Sequence, residues 1–276
     1  MKNWIKFGTV IGAVVLFACN ENKDANTDAA TSTTDGAAAE PKKLNFTLIK
    51  VYPHDTANYT QGLQWYHGKL YESTGLEGFS KVAQINAATG KAVQQTKLPY
   101  TVFGEGITVL NNKIYNLTWQ NNVVYVYDAT TLKKIQEFSW PYEGWGITND
   151  GTNLIISTGT NNLYVVNPAN FSILKTVGVY NNYGPIANLN ELEWVNGFVW
   201  ANQYQTNKIH KIDINSGRVV AYLDLAGIRE QNNLPYANDD EEKGNFLNGI
   251  AYDSAKGNFW LTGKRWQNYF EVKVGE

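Results

Sequence analysis

Cysteine occurs once in this chain, at Cys19, and histidine only at His54, His67 and His210. One cysteine builds no disulfide framework, and with three histidines it supplies too few ligands for a Cys/His zinc site or a His-rich catalytic metal centre. A dominant charge is lacking as well. The 23 Lys and Arg against 25 Asp and Glu leave a net charge of −2, so there is no electrostatic footprint for nucleic acid and no such partner is expected. Charged residues make up only 17% of the 276 residues, and methionine appears once. What remains is 43% hydrophobic, enough for a large core. Nine Trp, 17 Tyr and 24 Gly suggest short strands joined by many turns.

The N-terminal segment stands apart. Lys2 and Lys6 precede an apolar stretch, residues 7–18, too short to span a bilayer comfortably. It ends in Leu16-Phe17-Ala18-Cys19, which resembles a bacterial lipobox, although Phe17 is bulkier than the small residue usual there. An ordinary signal peptide or a plain anchor helix is the alternative. The expectation is a signal peptide over residues 1–18 and lipidation at Cys19. The product would be an exported lipoprotein, anchored in a membrane only by its lipid and facing the periplasm or cell surface. Residues 20–43 hold no large apolar side chain and read as a flexible tether, so the anchor and tether together cover 19–43 and the folded domain 44–276.

The folded part repeats. Gly104-Glu105-Gly106-Ile107-Thr108 matches Gly144-Trp145-Gly146-Ile147-Thr148 except at the second place. Related units begin at Gln61, Asn190 and Asn248, so the lead residues fall at 61, 105, 145, 190 and 248, spaced by 44, 40, 45 and 58. Such periods suit four-stranded propeller blades. The last gap is longer because residues 230–246 insert a polar stretch whose acidic run, Asp239 to Glu242, reads as a solvated loop. The fifth unit ends near Val274 with no room for a fourth strand, and Phe46–Val51 can supply it. The predicted fold is all-β: a five-bladed β-propeller closed by an N-terminal strand and, by default for a closed ring, a monomer.

Repeats agree at core places and diverge where function has replaced symmetry. The lead ring reads Gln61, Glu105, Trp145, Asn190 and Asn248. A second ring, at the end of the next strand, reads Gly75, Trp119, Gly159, Tyr204 and Lys264. Together they offer one carboxylate, one ammonium, carboxamides and large aromatic faces. A lone acid in a partly dry pocket suits proton transfer near neutral pH, a Lys and amides can stabilise an oxyanion, and aromatic faces can box a small substrate. Each of these residues also has an ordinary structural reading, and Lys264 can simply pair with Glu105 in the channel. Glu191 and Glu193 are alternative acids, or ligands for a structural Ca²⁺ in the channel. The three histidines read as structural or solvated.

At these residues the chain resembles the plant and bacterial glutamine cyclotransferases. The resemblance rests on Tyr59-Thr60-Gln61-Gly62-Leu63, Tyr71 to Gly75, Phe103-Gly104-Glu105-Gly106-Ile107, Gly144-Trp145-Gly146, Leu189 to Trp194, Val199 to Asn202, Leu247 to Ala251 and Thr262-Gly263-Lys264, in order across residues 46–273. It implies a five-bladed propeller that closes an N-terminal Gln of a peptide or protein into pyroglutamate, with no cofactor for catalysis. It also implies that Glu105 is catalytic and that Gln61, Trp119, Trp145, Asn190 and Lys264 contact substrate; for that reaction Lys264, with Asn190 or Gln61, is expected to hold the negative oxygen. Tyr204 and Tyr59 stand where the family often has Trp and Phe. A metal-dependent lactonase-like hydrolase and a non-catalytic surface-binding propeller are the competing readings.

Overall fold

A computed structural model describes residues 39–234 and 243–275. The signal segment, Cys19, most of the tether and the acidic run therefore lie outside the described residues. The chain opens with β1 (Lys42–Lys43) and β2 (Phe46–Pro53). The first blade follows as β3 (Thr60–Tyr66), β4 (Lys69–Thr74), β5 (Lys81–Asn86) and β6 (Lys91–Lys97). The second is β7 (Gly104–Leu110), β8 (Lys113–Thr118), β9 (Val123–Asp128) and β10 (Lys134–Ser139). The third is β11 (Ile147–Asn149), β12 (Leu154–Ser157), β13 (Asn162–Val166) and β14 (Ile173–Gly178). After a hairpin of β15 (Tyr180–Asn181) and β16 (Gly184–Pro185) comes the fourth: β17 (Leu189–Val195), β18 (Phe198–Gln203), β19 (Lys208–Ile212) and β20 (Val219–Asp224). A 3-10 turn, Glu230–Asn232, precedes the fifth blade, β21 (Leu247–Asp253), β22 (Asn258–Gly263) and β23 (Asn268–Val274).

Within each blade the strands pair antiparallel in chain order, and β2 adds to β23 as the outer strand of the fifth, so the predicted five-bladed closure is observed. Each twisted sheet has two apolar faces, and the ring buries both. The core accordingly divides into five clusters, one per junction between blades. The cluster at the closing seam joins Leu63, Leu70 and Ile85 of the first blade to Trp260 and Tyr269 of the fifth. Outer strands β6 and β10 are mostly exposed and rich in Lys and Gln, which discourages edge pairing. By contrast β20 alternates buried and half-buried residues, because β1 pairs beside it in parallel. Among the described residues the first strand thus begins at Lys42, two residues before the apolar sequence at Leu44, where the backbone of a polar segment covers an otherwise open edge.

The innermost strands carry the feature that matters for function. In β3, β7, β17 and β21 the pairing register shifts at Thr60/Gly62, Gly104/Ile107, Leu189/Leu192 and Leu247/Ile250, at or beside each lead residue. A bulge unpairs a residue and re-aims its side chain. In the third blade the ladder starts only at Ile147, leaving Trp145 just ahead of the strand. Small polar side chains from the preceding blade pin these bulges. Ser73 Oγ donates to Glu105 O at 2.6 Å, Ser157 Oγ to Asn190 O at 2.7 Å, and Asn202 Oδ1 accepts from Gly249 N at 3.0 Å. Glycine follows the lead in most copies because the blades nearly touch at the axis: a Cβ on Gly106 would meet Ile147 N at 2.8 Å.

Candidate active site

Eight of the predicted side chains converge at one mouth of the channel. A cavity of about 240 Å³ is lined by Tyr59, Gln61, Glu105, Trp119, Trp145, Asn190, Tyr204 and Lys264, together with Phe103. Four of these are deeply buried: Gln61, Glu105, Asn190 and Lys264. The volume lies below the ~300–1,000 Å³ typical of drug-sized ligand sites, so it suits a single amino-acid residue.

Polar groups in the pocket form a short chain. Asn248 Nδ2 donates to Gln61 Oε1 at 3.1 Å and to Thr60 O at 3.0 Å. Lys264 Nζ donates to the same Gln61 oxygen, and Gln61 Nε2 donates to Glu105 Oε1 at 3.2 Å. Gln61 therefore stands between the ammonium and the carboxylate, where the sequence allowed a direct ion pair. Burial pushes the Glu105 carboxyl well above the usual range; Lys264 pulls it back and Glu143 pushes it further up. Burial brings Lys264 down to about 8, against the pull of Glu105. Asn190 Oδ1 is buried without a hydrogen-bond partner and lines the same space. An unpaired buried acceptor of this kind is costly unless a ligand completes it.

Aromatic rings make the walls. Phe103 packs edge-on against Trp119 at 5.7 Å and Tyr59 at 6.3 Å, and Trp145 meets Tyr204 at 5.7 Å. Lys264 Nζ lies 4.5 Å from the Tyr59 ring centre and 5.5 Å from that of Tyr204. The glycines of the second ring are needed for this packing: a Cβ on Gly75 would strike the Phe103 ring, and one on Gly159 the Trp145 ring. Trp119 is 38% exposed, and its indole N–H points to Glu143 rather than Glu105, at 2.9 Å.

Other candidates have different surroundings. Asn248 is buried behind Gln61 and orients it. The Glu191 carboxylate accepts Leu63 N at 3.1 Å and Ile250 N at 2.8 Å, joining three blades across the axis. Glu193 accepts Tyr252 N at 2.9 Å, and burial raises it to about 8. No group of three or more His, Cys, Asp or Glu converges as a metal site among the described residues. His54 is buried against Glu72, and His210 against Gln203, where burial lowers it to about 4. His67 sits in the exposed β3–β4 turn.

Three functional neighbours escaped the sequence reading: Phe103, Glu143 and Phe246. All occupy one further repeat position, two residues before the lead, which reads Tyr59, Phe103, Glu143, Asn188 and Phe246. Phe246 packs on Tyr204 at 5.3 Å, and Glu143 binds both Trp119 and Trp145. Extending the repeat alignment by two places would have exposed this third ring.

Comparison with known proteins bears on the family and the fold. The family model for glutamine cyclotransferase matches residues 15–274. A glutaminyl-peptide cyclotransferase of Arabidopsis thaliana is 33% identical over 229 residues, covering 82% of this chain and 70% of the plant protein. The crystal structure of Myxococcus xanthus glutaminyl cyclase superposes with a TM-score of 0.78 at 29% identity, covering 85% of this chain and 98% of the other. Propeller, pocket and sequence relationship together place this chain, as an enzyme, in the glutamine cyclotransferase family.

Proposed function

We propose that the chain is a glutaminyl-peptide cyclotransferase: it converts the N-terminal Gln of peptides or proteins to pyroglutamate and releases ammonia. The observation that carries this reading is Glu105, a buried carboxylate with raised proton affinity, linked through Gln61 to the buried Lys264 ammonium. The α-amine nitrogen attacks the side-chain amide carbon, forming a C–N bond and a tetrahedral intermediate. Glu105 takes a proton from that nitrogen and returns it to the departing –NH₂, so the C–N bond to the side-chain nitrogen breaks and ammonia leaves. Lys264, with the Asn190 amide, stabilises the negative oxygen of the intermediate. The unpaired Asn190 Oδ1 is available to a substrate N–H. Trp119, Trp145 and Tyr204 hold the flexible Gln side chain folded toward ring closure.

Catalysis in this scheme uses no cofactor, and Glu191 and Glu193, whose carboxylates accept backbone N–H groups and have raised proton affinity, do not fit a structural Ca²⁺. The N-terminal sequence extends the proposal to a monomer tethered through a lipidated Cys19 and acting outside the cytoplasm on exported chains. The test is incubation of the protein with a Gln-initiated dipeptide, following ammonia and the matching mass loss. Turnover above the spontaneous rate, with an Asn-initiated control inert because it would close a strained four-membered ring, supports the reading. No turnover with saturable peptide binding would replace it by a binding propeller.

A further inference from the structure

The two indoles of the pocket come from different blades, Trp119 from just after β8 and Trp145 from just before β11. One atom ties them together. Glu143 Oε2 accepts Trp119 Nε1 at 2.9 Å and Trp145 Nε1 at 3.0 Å. Its other oxygen accepts Gln120 Nε2 at 2.9 Å. The backbone beside it is also held: Glu143 O accepts the indole of buried Trp140 at 3.4 Å, and Gly144 N donates to Thr118 O at 3.2 Å. We infer that Glu143 is a positioning residue of this site, locking the Trp119 and Trp145 rings in place as the walls against which the substrate's Gln side chain folds.

The inference rests on the cyclotransferase reading for its substrate, but the lock itself is a property of the pocket. Three donors aimed at one carboxylate call for a charged acceptor. Burial pulls Glu143 up, yet the hydrogen bonds from Gln120, Trp145 and Trp119 outweigh it and leave the group lowered. Its negative charge also raises the proton affinity of Glu105. The other groups acting on Glu105 are the Lys264 ammonium and the Tyr59 and Tyr204 hydroxyls. Glu143 thus has two separable roles, a steric one through the indoles and an electrostatic one on the catalytic proton.

Two variants of the full chain separate them. Glu143→Ala frees both rings, and a ring misplaced by about 1 Å is expected to lower kcat by roughly 100-fold. Glu143→Gln keeps one acceptor oxygen for the indoles, and Gln120 can turn its amide to suit. It is expected to recover most of kcat while moving the acid limb of the kcat/KM profile to lower pH, because Glu105 loses a repulsive neighbour. In a Trp119→Phe background, which has no N–H to hold, Glu143→Ala is expected to cost measurably less than in the parent. Indole N–H resonances of Trp119 and Trp145 should shift upfield in Glu143→Ala, whether or not the enzyme turns over the dipeptide. Unshifted resonances, or a folded Glu143→Ala within threefold of parent kcat, overturn the inference. Parent protein without turnover, but with shifted resonances, overturns the cyclotransferase reading and leaves the lock standing.

Discussion

Glu72 and Glu105 are both fully buried carboxylates, on neighbouring blades, and their affinities for a proton move in opposite directions. Glu72 accepts hydrogen bonds from Asn58 Nδ2 at 2.8 Å, Thr60 Oγ1 at 2.7 Å and the Tyr269 hydroxyl at 2.9 Å, and pairs with His54 Nε2 at 3.0 Å. Burial pulls it up, but His54 and these donors win and leave it below the usual range. Among the described residues the Glu105 carboxylate accepts only Gln61 Nε2, at 3.2 Å, and burial outweighs the pull of Lys264, so it rises. Burial is common to both; the charge of His54, with the donors around Glu72, decides the difference. Glu72 fastens the seam where β2 and β23 close the ring, whereas Glu105 faces a cavity. Glu191 adds a third case. It too is raised, by burial and by Glu193, yet both oxygens are held by backbone N–H groups. Raised proton affinity by itself does not mark a catalytic acid; an oxygen facing open space does.

The largest effect that would break this comparison is expected at Glu105. Glu105→Gln should lower kcat by roughly 10²–10⁴-fold, the usual worth of a general acid–base, measured as ammonia release. It should also be more stable than the parent near pH 8 and not near pH 4. A carboxyl raised in the folded state destabilises as pH climbs from its unfolded value to its folded one. Equal activity, or a stability gain at both pH values, would remove Glu105 from its role.

At the seam the signs reverse. Glu72→Gln should lose about 3–5 kcal/mol of stability, the cost of breaking a buried pair, while keeping turnover per folded molecule. Urea unfolding with a parallel assay checks both. Because the Glu72 carboxyl is lowered by folding, its contribution is present above the unfolded value and disappears as pH falls through the folded one. The parent should therefore lose stability on acidification more steeply than Glu72→Gln.

Lys264 sharpens the contrast from the basic side. With its ammonium held down to about 8 by burial, kcat/KM should fall as pH rises through that value, approaching tenfold per unit, once the titration of the substrate amine is allowed for. Lys264→Arg, which stays charged, should shift that limb upward even if its maximum is lower. The smallest effect belongs to the aromatic hydroxyls. Tyr59→Phe removes the hydrogen bond to Gly244 O at 3.1 Å and should change kcat/KM by about fivefold or less, in line with about 1 kcal/mol for one such bond.

Much of the site was legible because the chain repeats. Aligning five copies isolates Gln61, Glu105, Trp119, Trp145, Asn190, Tyr204 and Lys264 as places where symmetry fails, and all of them line the cavity. Asn248 belongs to the same ring but serves from behind, since the bulge in β21 turns it toward Gln61. Glu143 was missed because its importance lies in partners 24 and 2 residues away, brought to one oxygen only by two loops of different blades. Phe103 was read as part of a segment, not as a wall, because the glycine opposite it, Gly75, becomes its seat only in three dimensions.

The sequence by itself determined the blade count, the strand that closes the ring and the set of side chains able to gather at one mouth of the channel. Periodicity and turn residues are local, and a repeat carries them into a closed architecture without any knowledge of contacts. The tertiary structure decided which carboxylate is fastened and which faces the cavity. It also placed Gln61 between Lys264 and Glu105, and made Glu143 the common acceptor of two indoles. Proton affinity and hydrogen-bond supply depend on distances of a few ångströms between residues far apart in the chain, and the folded ring alone sets those.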